Sequence, residues 1–376
     1  MTPAVERALR DAVERLGELE LSDGFEPGAP EAIVASRLAG LVVPTDAGGL
    51  GASMREASEV LLALGAIDGS TALGFAMQVH VTGALRDSVA FPDDVRARLY
   101  RLIVEDGALL NNAATETGGG SPARGAIPGT TAALDPSGTW RLTGEKTWTT
   151  WLPALAHAFV TARLPGEEGV TAEIGTFLVD LATAGVERLA GFEALGMRGS
   201  ASGRLVLTDA PGELVQRRRA GGRDPRGAAP GAWFGSSMAA VYLGVGEGAR
   251  AEVVRWASER RPGDGSTAVA EIPSVQLRLG RMDAELRAAR IVVLATAESW
   301  DRDGDATDVP LAKLVATRAA VTATDEALRI AGGPGFLRGR LERAFRDARA
   351  GLINPPLEDV ALQERARALL RAEPRP

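Results

Sequence analysis

The sequence predicts a mostly helical α+β protein: an N-terminal helical domain, a small central antiparallel β domain and a C-terminal four-helix bundle. Three observations predict it. Apolar residues recur at spacings of three and four up to about residue 110, the mark of amphipathic helices. Short β-type runs separated by Gly and Pro turns then occupy the stretch up to about residue 210. From residue 232 onward, long apolar stripes at helical spacing return. These changes set domains at 1–111, 112–212 and 232–376, with 213–231 as a linker.

In the first domain Val5, Leu9, Val13 and Leu16 define an amphipathic helix. Pro44 and the Gly48-Gly49-Leu50-Gly51 cluster break the pattern, and a helix resumes over Ala57–Ala66 with Val60, Leu61 and Leu64 on one side. Thr71–Leu85 is almost uncharged, which predicts a helix buried on most of its surface, with His80 inside it as a core histidine. Strands follow at Trp140–Thr143, Ala158–Ala162, Thr176–Val179 and Arg204–Thr208. Pro211–Gly231, rich in Gly, Pro and Arg, reads as a surface linker. Met238, Val241, Tyr242, Val245, Ala249, Val253 and Trp256 form one apolar helix face. Val275, Leu279, Met282, Leu286, Ala289 and Val293 form a second. Leu311, Leu314, Val315, Val321 and Leu328 form a third, stopped at Gly332-Gly333-Pro334-Gly335. A last helix spans about Glu358–Leu370, and four such helices make an antiparallel bundle.

Composition narrows the chemistry. A net charge of −7 argues against nucleic acid or an anionic membrane as the main partner. With no cysteine, disulfides and thiolate nucleophiles are excluded. The two histidines, His80 and His157, sit in no metal or triad motif, so no metal site is expected. The charged N-terminus lacks the apolar core of a signal peptide, and no apolar run approaches the roughly 18 residues of a membrane span. A cytoplasmic location is expected.

The stretch with most chemical content runs from Asn112 to Trp151. It opens on a small-residue turn, Ala113 to Ser121, with three consecutive glycines whose N–H groups can face a ligand closely. It closes on a strand carrying Thr147, Trp148, Thr149 and Thr150, hydroxyls beside a flat indole. Two readings stand: a site for a flat, partly anionic cofactor, or a hairpin with a glycine-rich loop.

Taken together, these segments resemble the acyl-CoA dehydrogenase family of flavoproteins. TETGGGS is similar to that family's TEPGAGS turn, and GEKTWTT to its GxKxWIT strand. LGMRGSASG (Leu195 to Gly203), IAGGPGF (Ile330 to Phe336) and RDARAG (Arg346 to Gly351) match in order and spacing. The resemblance covers nearly the whole chain. It implies a homotetramer or dimer with FAD held between the sheet domain and the bundle. Asn112, Ala114, Thr115, Gly120 and Ser121 would then line the flavin, Trp148 would cover its ring, and Thr150 would lie near its reactive nitrogen. Arg260 would reach the pyrophosphate of a neighbouring subunit's FAD, as a guanidinium suits phosphate oxygens. Gln276, Gly332 and Gly333 would complete that contact, although Gly263 stands where the family has phenylalanine.

The resemblance also implies a carboxylate base for the α-proton of an acyl thioester. The usual position falls on Pro355, and the alternative falls on Phe234, with Gly235 in place of the adjoining substrate-binding arginine. Glu358 and Asp359 lie close by, in the first turn of the last helix. There, acidic residues also serve the helix dipole, while Glu116, in the flavin turn, reads as structural. Glu358 is the candidate base for a flavin-dependent α,β-dehydrogenation of an acyl thioester, carried by CoA or a carrier protein. A flavin-dependent monooxygenase on the same fold needs no such base, and a non-catalytic flavin-binding subunit needs none either. A flavin electron acceptor or oxygen completes the list of partners.

Overall fold

The computed structural model describes residues 1–88, 90–117, 126–166, 171–222, 226–263 and 265–372. Helices α1 (Pro3–Gly17), α2 (Gly28–Ala35), α3 (Met54–Ile67), α4 (Gly69–Asp87) and α5 (Asp93–Glu105) come first. Strands β1 (Leu110–Ala113), β2 (Thr131–Leu134), β3 (Trp140–Thr149), β4 (His157–Arg163), β5 (Glu173–Asp180), β6 (Val186–Leu189) and β7 (Gly203–Arg219) follow. Helices α6 (Ala229–Glu259), α7 (Pro273–Asp303), α8 (Val309–Ala331), α9 (Arg340–Ile353) and α10 (Glu358–Ala372) complete the order helices, sheet, helices. Two compact units result: Met1–Ala52 with Met77–Ala194 and Arg198–Trp233, and Ser53–Ala76 with Leu195–Met197 and Phe234–Pro376.

In the first unit, the ladder β4-β2-β3-β7-β5 returns to β4 and so closes on itself. The pairs are antiparallel apart from β1–β4 and a single parallel bridge between Thr131 and Arg163. Closure leaves few free edges. β4 is buried on both faces from Ala158 to Ala162, so it reads as a continuous apolar run rather than an alternating one. Residues 211–219, expected in a surface linker, are instead the second half of β7. Gln216, Arg217, Arg218 and Arg219 pair with Thr176, Gly175, Ile174 and Glu173 of β5. Their backbone is paired along β5, and Gln216 is buried. Helix α1 also shifts its buried stripe: Val5, Ala8, Ala12 and Leu16 are buried, whereas Val13 is exposed. The alanines give the closer approach.

In the second unit, α3 starts on a capping box in which Ser53 and Glu56 satisfy each other's backbone N–H groups. The amides of Met54 and Arg55 donate to Asp301 of α7 at 2.7 and 2.9 Å, an anion set on a helix N-terminus. Further along, α3 and α6 touch backbone to backbone. A Cβ on Gly244 would lie 2.5 Å from the Leu62 carbonyl, and one on Gly65 would lie 2.7 Å from that of Val241. Only glycine permits that approach.

Candidate functional site

The candidate site positions fall into two groups, one in each unit. In the first unit, β1 delivers Asn111 and Asn112 beside the end of β3. The Asn111 side chain donates to the Thr150 carbonyl at 3.0 Å, and the Thr147 amide donates to the Thr115 carbonyl at 2.9 Å. Thr115 and the end of β3 are therefore fixed together. Ala114 lies between these anchored residues, while Gly120 and Ser121 fall outside the described residues.

Next to Thr115, Glu116 binds Gly129, Thr130 and Lys146. Its carboxylate accepts from the Gly129 amide (2.6 Å), the Thr130 amide (3.1 Å), the Thr130 hydroxyl (2.6 Å) and the Lys146 ammonium (2.5 Å). Burial alone would raise the Glu116 carboxyl, but hydrogen bonds from Lys146 and Thr130 outweigh it and hold it below the ordinary range. Lys146 is fully buried, and desolvation pulls its amine down against the pull of Glu116. Glu116 is thus a structural anchor, as its sequence context suggests.

The register of β3 against β7 shifts between Lys146 and Thr149, a bulge that rotates Trp148 outward. Trp148 sits at φ 57°, a left-handed conformation that a bulky side chain rarely adopts, and Trp151 repeats it at φ 56°. The Trp148 ring is 52% exposed and stacks on Phe192 with centroids 4.3 Å apart. Beside it the Thr150 and Ser202 hydroxyls lie 2.9 Å apart, and Ser202 is 3.0 Å from the Ser200 hydroxyl. The Asn112 Oδ1 is buried without a hydrogen-bond partner among the described residues, as is the Thr149 hydroxyl. An open acceptor on Asn112, a half-exposed indole at Trp148 and the Thr150–Ser202 hydroxyl pair are groups that a flat polar heterocycle can use, so their chemistry fits a flavin.

In the second unit, the residues that follow the two positions assigned to a base, Gly235 and Pro356, lie close to each other. A Cβ on Gly235 would lie 2.4 Å from Val309 Cγ1 of α8 and 3.8 Å from Pro356 Cδ. Any side chain at 235 would have to displace Val309. The loop that carries Pro355 is tied down at both sides: the Asn354 side chain donates to the Tyr242 hydroxyl at 2.5 Å, and Lys313 donates to the Asn354 carbonyl at 2.7 Å. Glu358 lies at the start of α10, where Arg318 binds it at 2.5 Å. That hydrogen bond holds its carboxyl below the ordinary range. Arg260, Gln276, Gly332 and Gly333 are all exposed on this unit, and Gly332 turns the chain at φ 60° after α8.

Two of the matching motifs bind each other. The Met197 amide donates to Asp347 at 2.5 Å, and Arg346 donates to the Leu195 carbonyl at 3.1 Å. Burial pushes the Asp347 carboxyl up to about 7. His80 is buried in α4, and desolvation together with the Arg226 charge drives its imidazole down to about 3, a neutral core histidine. Sequence reasoning missed Ser202, Phe192, Lys146 and Lys313. One signal pointed to the last two: they are the only lysines in a chain with 42 lysines and arginines. Among the described residues, no helix is long and apolar enough to cross a membrane, and no group of three or more metal-ligating side chains occurs.

Residues 111–210 match the acyl-CoA dehydrogenase middle domain, and residues 236–355 match the acyl-CoA dehydrogenase C-terminal domain. The chain belongs to the acyl-CoA dehydrogenase family. It is 34% identical over 334 residues to the putative acyl-CoA dehydrogenase YdbM of Bacillus subtilis, spanning 87% of this chain and 85% of the relative. It is 28% identical over 332 residues to the amino sugar nitrososynthase RubN8 of Streptomyces rubradiris, spanning 84% and 76%. Among solved structures, KijD3 in complex with FMN and a dTDP-linked amino sugar superimposes with a TM-score of 0.83 at 25% identity, covering 100% of this chain and 95% of that one.

Proposed function

We propose that this chain is a flavin-dependent oxidoreductase that works without the family's carboxylate base, and that it is a monooxygenase. The observation that carries this reading is the pair of base positions. Pro355 and Phe234 have no titratable group, Gly235 carries no side chain and packs against Val309, and Glu358 is held by Arg318. A bound flavin would supply two-electron transfer and, once reduced, the activation of molecular oxygen. Trp148 would support its ring by stacking, and Asn112, Thr150 and Ser202 would meet its polar edge. The similarity to an amino sugar nitrososynthase and to the FMN complex of KijD3 supports the same reading. Either FAD or FMN is compatible with it; Arg260, exposed on its unit, favours the pyrophosphate of FAD in a homodimer or homotetramer.

A second reading is the α,β-dehydrogenation of an acyl thioester by FAD, with Glu358 as base. The 34% identity to a putative acyl-CoA dehydrogenase favours it. Against it stands a carboxylate whose proton affinity is lowered by Arg318. Purified protein should be loaded with flavin and mixed anaerobically with butyryl-CoA and octanoyl-CoA. The monooxygenase reading expects the oxidised-flavin band to persist, and bleaching by either thioester would overturn it. With NADH, a flavin reductase and air, oxygen should be incorporated into an amine, thioether or aromatic probe.

A further inference from the structure

Every basic residue of this chain except two is arginine. The two are Lys146 and Lys313, and both are buried, at 0% and 3% exposure. An arginine-rich chain keeps lysine where a compact point charge with tetrahedral donors is needed and a planar guanidinium will not fit. For Lys146 the need is plain, since it faces the Glu116 carboxylate. Lys313 is different: among the described residues it forms no ion pair. Its ammonium donates instead to two backbone carbonyls, Gly351 at 2.5 Å and Asn354 at 2.7 Å. Glu358, whose charge reaches it, is itself bound by Arg318.

We propose that Lys313 is a positioning residue for the reaction, a buried cationic pin that fixes the Asn354-Pro355-Pro356 loop against the Gly235–Tyr242 stretch of α6. The proposal rests on the reading of this loop as the place where the reaction is decided. The geometry carries it in three steps. The carbonyls that Lys313 binds belong to the last turn of α9 and to the residue after it, groups with no amide left to pair with and the negative end of a helix dipole. One turn before Lys313, Val309 presses on Gly235 of α6, so a single face of α8 holds the loop and the position that lacks the family's arginine. Opposite, Tyr242 of α6 accepts from the Asn354 side chain at 2.5 Å, so one residue is gripped by its carbonyl from α8 and by its side chain from α6. A loop gripped in this way keeps the proline ring, and no titratable side chain, at the base position.

The test uses the full-length, flavin-loaded protein with Lys313→Met and, separately, Tyr242→Phe, which removes the second grip and leaves the buried charge in place. Amide hydrogen exchange over 350–358 should lose about tenfold in protection in each variant, in line with the loss of one strong hydrogen bond. Protection in α7 should stay within about twofold. Oxygen-dependent turnover of the probes with a flavin reductase should fall by about tenfold as well. Unchanged protection over 350–358 in both variants would overturn the pin. So would lost protection with unchanged turnover, which would make Lys313 structural only. If the wild-type protein turns over no probe, the monooxygenase reading fails, while hydrogen exchange still decides whether the pin exists.

Discussion

The Glu116–Lys146 pair should show a large asymmetry between its two partners. Lys146 is fully buried and its charge is compensated by one carboxylate, with the Thr161 hydroxyl at 3.4 Å as a weak second partner. Glu116→Ala therefore strands an ammonium in the barrel interior. Breaking one side of a buried pair costs about 3–5 kcal/mol. Lys146→Met is milder, because Glu116 keeps three donors from Gly129 and Thr130. It loses one charge-assisted bond while the methionine stem refills the space, a cost of about 1.5–3 kcal/mol. The double variant Glu116→Leu with Lys146→Met removes both charges and should recover much of the loss, since apolar replacement of a buried pair is often close to neutral. Urea unfolding followed through tryptophan emission measures all three, with Trp140, Trp148 and Trp151 reporting the sheet. Equal costs for the two single variants, or a double variant worse than Glu116→Ala, would refute the reasoning.

Trp148→Ala removes the stacking surface that the proposed function assigns to the flavin. Flavin affinity should fall by about tenfold, read by fluorescence titration, with little change in the urea midpoint because the ring is half exposed. Asp347, with its carboxyl at about 7 in the fold against about 3.9 when unfolded, contributes stability that is full below about pH 4 and is lost as pH rises through about 7. Asp347→Asn should flatten the fall in urea midpoint between about pH 4 and pH 7, and an unchanged slope would count against burial as the cause. Gly244→Ala puts a methyl 2.5 Å from the Leu62 carbonyl and should cost about 1–3 kcal/mol despite alanine's better helix propensity, measured as a shift in midpoint.

The legible part of the fold is the part that depends on local period. Stripes such as Val275, Met282, Leu286, Ala289 and Val293 are visible because helix spacing is written in near neighbours, and these residues are buried as expected. The second half of β7 was hidden for the opposite reason. A strand rich in arginine and glycine carries no apolar alternation, and only its partner β5 makes it a strand. The residues proposed for the flavin stand out through motif order, yet the reason Trp148 faces outward lies in a bulge set by pairing with β7, which no local pattern announces. The base positions show the same division. That Pro355 and Phe234 are not acids is plain from the letters; that their neighbours Pro356 and Gly235 lie close together beside Val309, with Lys313 bound to the loop carbonyls, is tertiary. Two lysines among 42 basic residues were the one compositional trace of it, and both mark places where the interior needs a small positive charge at a fixed point.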